Sequence, residues 1–286
     1  MPHGTAKPSW LKKRIPTGPA YERLRIQLAR NHIHTVCQEA NCPNIWECFS
    51  LKTATFLILG DRCTRSCRFC AVTQFAPEPP DVDEPGRVAE TAREMQLDYV
   101  VVTSVTRDDL PDGGAGHFAE TIYEIKKKIP DARVEVLVPD FHGNQDALYQ
   151  VLDAHPVVLN HNLETVSRLY DRVRPGADYT RSLTLLEQSF SYAPDITTKS
   201  GLMLGIGETD SEIMEALKDM RSVGCRLLTL GQYLPPSRSH LPVDRYIPPE
   251  VFDRWRSEAL GLGFDQVASG PFVRSSYHAR ELVGDP

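Results

Sequence analysis

The chain has no long apolar run: nothing in its 286 residues approaches the roughly 18 that a membrane span needs. It has no surplus of basic residues either. Its net charge of -6 implies no broad positive field, so neither a nucleic acid nor a membrane is expected as partner. Low-complexity tracts are absent, and 41% hydrophobic with 24% charged residues is the balance of a globular protein. The opening stretch MPHGTAKPSWLKKRIP is polar and has no apolar h-region, from which we expect no secretory signal. That places the chain in a reducing, cytoplasmic compartment, where disulfides explain seven cysteines poorly. Metal ligation is the better account of six of them.

Those six form two triplets. Between and beyond them, from Ala54 onward, short β-branched runs alternate with amphipathic stretches. Strands are predicted at 55–59, 99–105, 134–138, 157–160, 200–205 and 227–231. Helical patterns lie between them at 86–96, 117–129, 146–154, 181–190 and 210–222. Strands separated by helices imply a parallel α/β sheet, either open and doubly wound or a partial (β/α)6 TIM-like barrel. In both, ligands sit at the C-terminal ends of the strands. We divide the chain into an N-terminal extension (1–53, partly helical at YERLRIQLARN), the (β/α)6 core (54–264) and a short, turn-rich C-terminal extension (265–286).

Cys63, Cys67 and Cys70 have the spacing C-x3-C-x2-C in a loop directly after the first predicted strand. Three thiolates can hold three irons of a cubane and leave the fourth open, which is what a catalytic metal site needs. A structural zinc site is the plainer alternative, but it lacks a fourth ligand here. The aromatic Phe69 precedes the last cysteine. This loop resembles that of the radical S-adenosylmethionine (SAM) superfamily. There the methionine end of SAM chelates the open iron, and the usual fold is a full or partial (β/α) barrel.

Cys37, Cys42 and Cys48 are spaced C-x4-C-x5-C, which fits neither a two-cluster ferredoxin nor a zinc ribbon. The two triplets together with GPFVRSSYHA (270–279) closely resemble the lipoyl synthase family over nearly the whole chain. The resemblance implies two [4Fe-4S] clusters, the auxiliary one held by Cys37, Cys42, Cys48 and a serine of the R-S-S-Y motif. That serine is Ser276, with Ser275 as the alternative. A hard oxygen ligand on soft iron is the one most readily lost, as suits a cluster that gives up its sulfides. Arg274 beside them could orient substrate or steady the cluster's charge. Without the triplets, RSSYHA would read as a helix start or turn.

The activity implied is that of a sulfurtransferase. SAM cleavage generates a radical, and two sulfurs from the auxiliary cluster enter at C6 and C8 of an octanoyl group on a carrier-protein lysine. The carrier is a glycine-cleavage H protein or an acyltransferase subunit of a 2-oxoacid dehydrogenase. A ferredoxin or flavodoxin reductant and a cluster-assembly carrier are implied too, while nothing requires more than a monomer. Four strand-end stretches are candidates for holding SAM. They are 103–114 with Thr103 and Ser104, 160–165 with Asn160, Asn162 and Glu164, 199–212 with Lys199, and 231–237 with Gln232 and Tyr233. Each also reads as an ordinary βα loop whose Gly, Asp and Ser serve turns and caps.

Other residues are given structural roles: Cys225 as a small buried residue, His32 and His34 as helix-end or packing residues, KPSWLKKR (7–14) as a solvated face. A biotin-synthase-like enzyme would lack the first triplet. A transfer-RNA methylthiotransferase would need a larger N-terminal domain and a basic appendage. A two-cluster electron carrier would ligate every iron and have no use for SAM, and a zinc-stabilised interaction module would hold zinc alone.

Overall fold

The computed structural model describes residues 7–12, 19–39, 42, 44, 45, 47 and 55–284. Seven parallel strands form its centre: β1 (Thr55–Ile58), β2 (Tyr99–Ser104), β3 (Arg133–Leu137), β4 (Val158–Asn160), β5 (Thr197–Leu204), β6 (Leu227–Gln232) and β7 (Gln266–Gly270). Neighbours in sequence are neighbours in the sheet throughout. The first six strands are followed by helices α1 (Glu84–Glu94), α2 (Ala115–Lys128), α3 (Gln145–Asp153), α4 (Tyr179–Tyr192), α5 (Asp210–Ser222) and α6 (Pro249–Gly261). The expected mixed α/β architecture with six βα units is therefore present. Two features were not read from the sequence. Helix α6 escaped notice, and the tail after Phe264, expected to be turn-rich, supplies a seventh strand against β6.

Strand β2 shows why these segments become strands. Its YVVVTS sequence turns Val100 and Val102 outward into the helix-facing core at 0% exposure, while Tyr99 and Val101 point inward. Each fully buried valine contributes about 1.5–3 kcal/mol, and β-branched side chains suit the pleat. The helices begin on defined caps. Asn144 caps α3, Asp178 caps α4, and Thr209 with Glu212 forms a reciprocal capping box on α5.

The sheet is linear in order rather than closed. At the β1 edge, His34–Thr35 pairs antiparallel with Phe56 and Leu57, so the N-terminal extension adds a strand there. The chain leaving β7 ends in a short helix, Ala279–Val283. It packs Ala279, Leu282 and Val283 against Tyr99, Val101, Val158 and Leu227 near the strands' N-terminal ends. Arg133 donates to the Gly284 carbonyl at 2.7 Å, and Arg280 pairs with Asp98 at 2.7 Å. One end of the barrel is thereby stoppered, and the other is left for ligands. Among the described residues no helix is long and apolar enough to cross a membrane. Cys225 is fully buried, as read from the sequence.

Inside the barrel Lys199 donates to Glu135 Oε1 at 2.8 Å, both side chains fully buried, and Tyr99 donates to Glu135 Oε2 at 2.6 Å. Lys199→Met leaves Glu135 a buried charge with one neutral donor, and should cost about 3–5 kcal/mol in chemical denaturation. Adding Glu135→Leu should restore most of that loss. A single mutant as stable as the parent would show that the pair is not held as described.

Candidate functional site

The second cysteine triplet begins where β1 ends, on a sharp turn. Leu59 and Gly60 both lie in the left-handed region, at φ 67° and 89°. A leucine there is strained, and its neighbours hold it. The Leu59 amide donates to Glu84 Oε2 at 2.7 Å, and His117 Nε2 lies 2.7 Å from the same oxygen. Gly114 sits so close that a β-carbon would come within 2.3 Å of Leu59 Cδ1.

The loop that follows is tied to three other strand ends. Thr64 N donates to the Thr106 carbonyl (3.1 Å) and Thr106 N to Cys63 Sγ (3.3 Å), which fastens it to the β2 loop. Arg68 N donates to the Val173 carbonyl (2.9 Å). His240 Nε2 meets the Cys70 carbonyl at 3.0 Å, from the loop after β6. Phe69 is half-buried against the outer core cluster that includes Leu163 and Val173.

Burial pushes the Cys67 thiol up, with the Arg174 guanidinium opposing and Cys63 adding to the rise. Cys70 is pushed up to about 12 by burial, partly offset by a backbone donor at Val72 and reinforced by Cys67 and Cys63. Two thiols raised in this way ionise together more readily beside a cation, and a metal–thiolate centre would supply one. Among the described residues no three His, Cys, Asp or Glu side chains group tightly enough for a single ion.

Beside the loop, buried polar atoms have no partner. Ser104 Oγ, both amide atoms of Asn160, Asn162 Oδ1 and Arg174 Nε make no hydrogen bond. Asn160 is 0% exposed, and a buried amide left with neither donor nor acceptor used is costly. Ser104 and Asn160 end β2 and β4, Asn162 lies just beyond β4, and Arg174 caps the one-turn helix Tyr170–Val173 farther along the same connection. Arg174 donates through Nη1 to the Asn162 and Leu163 carbonyls (2.9 and 3.2 Å) and the Tyr170 hydroxyl (2.9 Å). Among the described residues no carboxylate lies within ion-pair distance of it. Glu164, held at φ 66°, accepts from Asn162 Nδ2 at 3.0 Å, and burial pushes its carboxyl up while Arg174 opposes the rise. A buried guanidinium and orphaned donors and acceptors fit a zwitterionic, ribose-bearing ligand such as SAM.

Of the SAM contacts predicted from sequence, Ser104, Asn160, Asn162 and Glu164 gather at this rim. The others have their polar groups committed elsewhere. Lys199 is spent on Glu135. Gln232 donates to the Leu204, Tyr233 and Arg245 carbonyls and accepts from Ile247 N, and Tyr233 donates to the Leu241 carbonyl, so both secure the loop after β6. The Thr103 hydroxyl donates to the Leu137 carbonyl. Arg174 was missed, because an arginine in VRPGAD carries no local signal until folding brings it beside Cys67.

Cys37 is buried on the one-turn helix Val36–Glu39, and Cys42, whose amide donates to the Cys37 carbonyl at 3.1 Å, is half-buried. Cys48 lies outside the described residues. The R-S-S-Y segment joins this region to the barrel. Asn44 Nδ2 donates to the Phe272 carbonyl (2.7 Å) and the Tyr277 hydroxyl to Glu47 (2.9 Å). Ser276 Oγ accepts from the Thr55 hydroxyl at 2.7 Å, and Ser275 Oγ accepts from Asn162 Nδ2. Arg274 is half-buried within electrostatic reach of Cys42 and Glu164, its pKa lowered chiefly by desolvation. The strap passes so near β6 that a β-carbon on Gly231 would lie 2.2 Å from the Val273 carbonyl oxygen.

A family model for the radical SAM superfamily matches residues 57–220, and one for the N-terminal domain of lipoyl synthase matches residues 4–42. Lipoyl synthase of Caldanaerobacter subterraneus subsp. tengcongensis is 57% identical over 273 residues, covering 96% of this chain and 95% of its own length. That of Chlorobium phaeovibrioides is 55% identical over 274 residues, covering 96% of each chain. Among solved structures, methylornithine synthase aligns with a TM-score of 0.55 at 13% identity, covering 87% of this chain and 81% of its own. Streptococcus suis SuiB bound to S-adenosylmethionine aligns at 0.58 and 8% identity, covering 86% of this chain and 54% of its own. At such identities the likeness is one of fold. A barrel of that kind, a three-thiol loop at its open end and near full-length identity to curated relatives make this chain a member of the lipoyl synthase family of radical SAM enzymes.

Proposed function

We propose that this enzyme makes the lipoyl group by inserting sulfur at C6 and C8 of an octanoyl chain amide-linked to a lysine of a lipoyl-carrier protein. The observation that carries the reading is the R-S-S-Y strap, bonded at Asn44 and Glu47 to the first-triplet segment and at Asn162 to the rim beside the second triplet. Cys63, Cys67 and Cys70 would hold one [4Fe-4S] cluster. Bound there with SAM, it would supply a 5'-deoxyadenosyl radical able to take hydrogen from an unactivated methylene, which acid–base groups cannot do. Asn160, Asn162 and Ser104 have the unused polar atoms to orient SAM, and Arg174 the charge to pair with its carboxylate. The bottom of the barrel is stoppered by Ala279–Val283, which limits water to one face.

Cys37, Cys42, Cys48 and Ser276 would hold the auxiliary cluster as the sulfur source. Support for an oxygen ligand comes from Thr55, whose hydroxyl bond to Ser276 would stabilise an alkoxide. Ser275 also receives a donor, from Asn162, so the choice of Ser276 rests on the family resemblance. The extension (1–53), core (54–264) and C-terminal segment (265–286) then have distinct tasks: sulfur source, radical chemistry and the strap between them. A glycine-cleavage H protein or 2-oxoacid dehydrogenase acyltransferase subunit as carrier, a ferredoxin or flavodoxin reductant, a cluster-assembly carrier, a monomeric state and a cytoplasmic location complete the proposal.

Anaerobic incubation of the reconstituted protein with SAM, dithionite and an octanoyl-lysyl peptide should yield peptide carrying two sulfurs together with 5'-deoxyadenosine. Deoxyadenosine without thiolated peptide would refute the substrate. Ser276→Ala should strip the auxiliary cluster's signature and thiolation while leaving SAM cleavage; equal loss in Ser275→Ala would defeat the assignment to Ser276. Arg174→Met should weaken SAM binding by about 2–5 kcal/mol, roughly 30-fold or more in Kd, with both clusters retained. Unchanged SAM affinity would remove Arg174 from the site.

A further inference from the structure

Between Cys63 and Cys67 the loop makes an arc of three residues, Thr64, Arg65 and Ser66. The middle one turns inward. The Arg65 side chain is only 6% exposed, and it donates through Nε and Nη2 to both oxygens of Asp108, at 2.8 and 3.0 Å. Nη2 also reaches Asp140 Oδ1 at 2.5 Å. Asp108 is in the loop after β2, and Asp140 in the loop after β3, with 0% side-chain exposure. One guanidinium thus fastens the arc to two neighbouring strand ends.

Burying a guanidinium costs solvation that its ion pairs only roughly recover. Two arginines, Arg65 and Arg181, face two aspartates, Asp108 and Asp140, so the network is neutral in sum. What it does supply is geometry. A planar fork with three bonds to two anchors fixes where the arc lies and in which direction. The remaining ties are at the flanks: backbone bonds at Thr64 and Arg68, and the Thr64 hydroxyl, which donates to the Thr106 carbonyl at 3.0 Å and accepts from Asp108 N at 3.1 Å.

We propose that Arg65 is the positioning residue of the radical SAM loop, holding Cys63 and Cys67 at the spacing that a cluster with one open iron requires. The inference rests on the reading of Cys63, Cys67 and Cys70 as cluster ligands. Arg65 is not itself essential to folding, because each carboxylate keeps a second partner without it. Asp140 retains Arg181 at 3.3 Å, and Asp108 retains His142 at 2.9 Å.

The test uses the full chain, reconstituted anaerobically with iron and sulfide, as parent, Arg65→Met, Arg65→Lys and Asp140→Asn. The auxiliary cluster is the internal control, since its cysteines are on another segment. Arg65→Met should keep the auxiliary cluster's spectrum and a cooperative thermal transition, its melting temperature lowered because Asp140 keeps only Arg181 as an ion-pair partner. It should lose about half the bound iron and the change that SAM provokes in the parent's reduced electron paramagnetic resonance spectrum. Arg65→Lys should restore part of both, because a point charge makes fewer bonds than a fork. Asp140→Asn should shift both in the same direction by less, since Asp108 still binds the fork. Full iron content with a parental SAM response in Arg65→Met would overturn the proposal. So would loss of both clusters together with a collapsed melting temperature, which would mark Arg65 as a general stability element. A parent that binds no cluster at Cys63–Cys70 would instead refute the underlying reading, and this inference with it.

Discussion

Thiols crowded into a partly buried loop resist ionisation, and the rest of this structure depends on overcoming that resistance. Burial pushes Cys67 and Cys70 up, Cys63 adds to both and Cys67 to Cys70, and a metal centre would take up that charge. A metal centre in turn needs its ligands held at fixed spacing while one coordination position stays open. No loop can do that with its own residues. Beyond its own Leu59–Gly60 turn, the loop is held from the ends of β2, β3, β4 and β6, through Thr106 and Asp108, Asp140, Val173 and His240. The parallel arrangement makes this cheap, because it delivers all the strand ends to one side.

A linear sheet leaves an open seam, and both terminal regions are drawn to it. The N-terminal extension adds two residues to the β1 edge. The C-terminal strap leaves β7, passes over Gly231, touches Asn162 and Thr55, and ends in the helix that stoppers the barrel. Cys37, Cys42 and the R-S-S-Y segment therefore lie along the seam. In the proposed function, the same chain path that completes the barrel would bring the sulfur source to the radical source.

Buried polar groups separate structure from function here. The Lys199–Glu135–Tyr99 network and Gln232 are fully engaged, and they specify how the barrel interior and the loop after β6 are arranged. Asn160, Ser104 and Arg174 have buried polar atoms without a partner, the capacity that the proposed function assigns to SAM. By sequence alone Lys199 and Asn160 looked equivalent, each a polar residue near a strand end. The difference is Glu135, a carboxylate two strands away that Lys199 reaches across the barrel interior, whereas the Asn160 amide meets no partner among the described residues.

Local pattern was enough to determine much of this protein. Runs such as YVVVTS and TFLIL specify strands because β-branched residues fill a two-sided buried sheet, and the amphipathic stretches between them specify helices. The cysteine spacings specify metal chemistry because ligand type and separation are covalent properties of the chain. Tertiary structure alone decided the rest. The QVASG segment becomes a strand because β6 offers an edge to it, not because its own residues demand one. Arg65, Asp108 and Asp140 are unremarkable in sequence and become a clamp only where three strand ends converge. Arg174 lies more than a hundred residues from Cys67, and its charge matters there because folding puts both out of water at the same place.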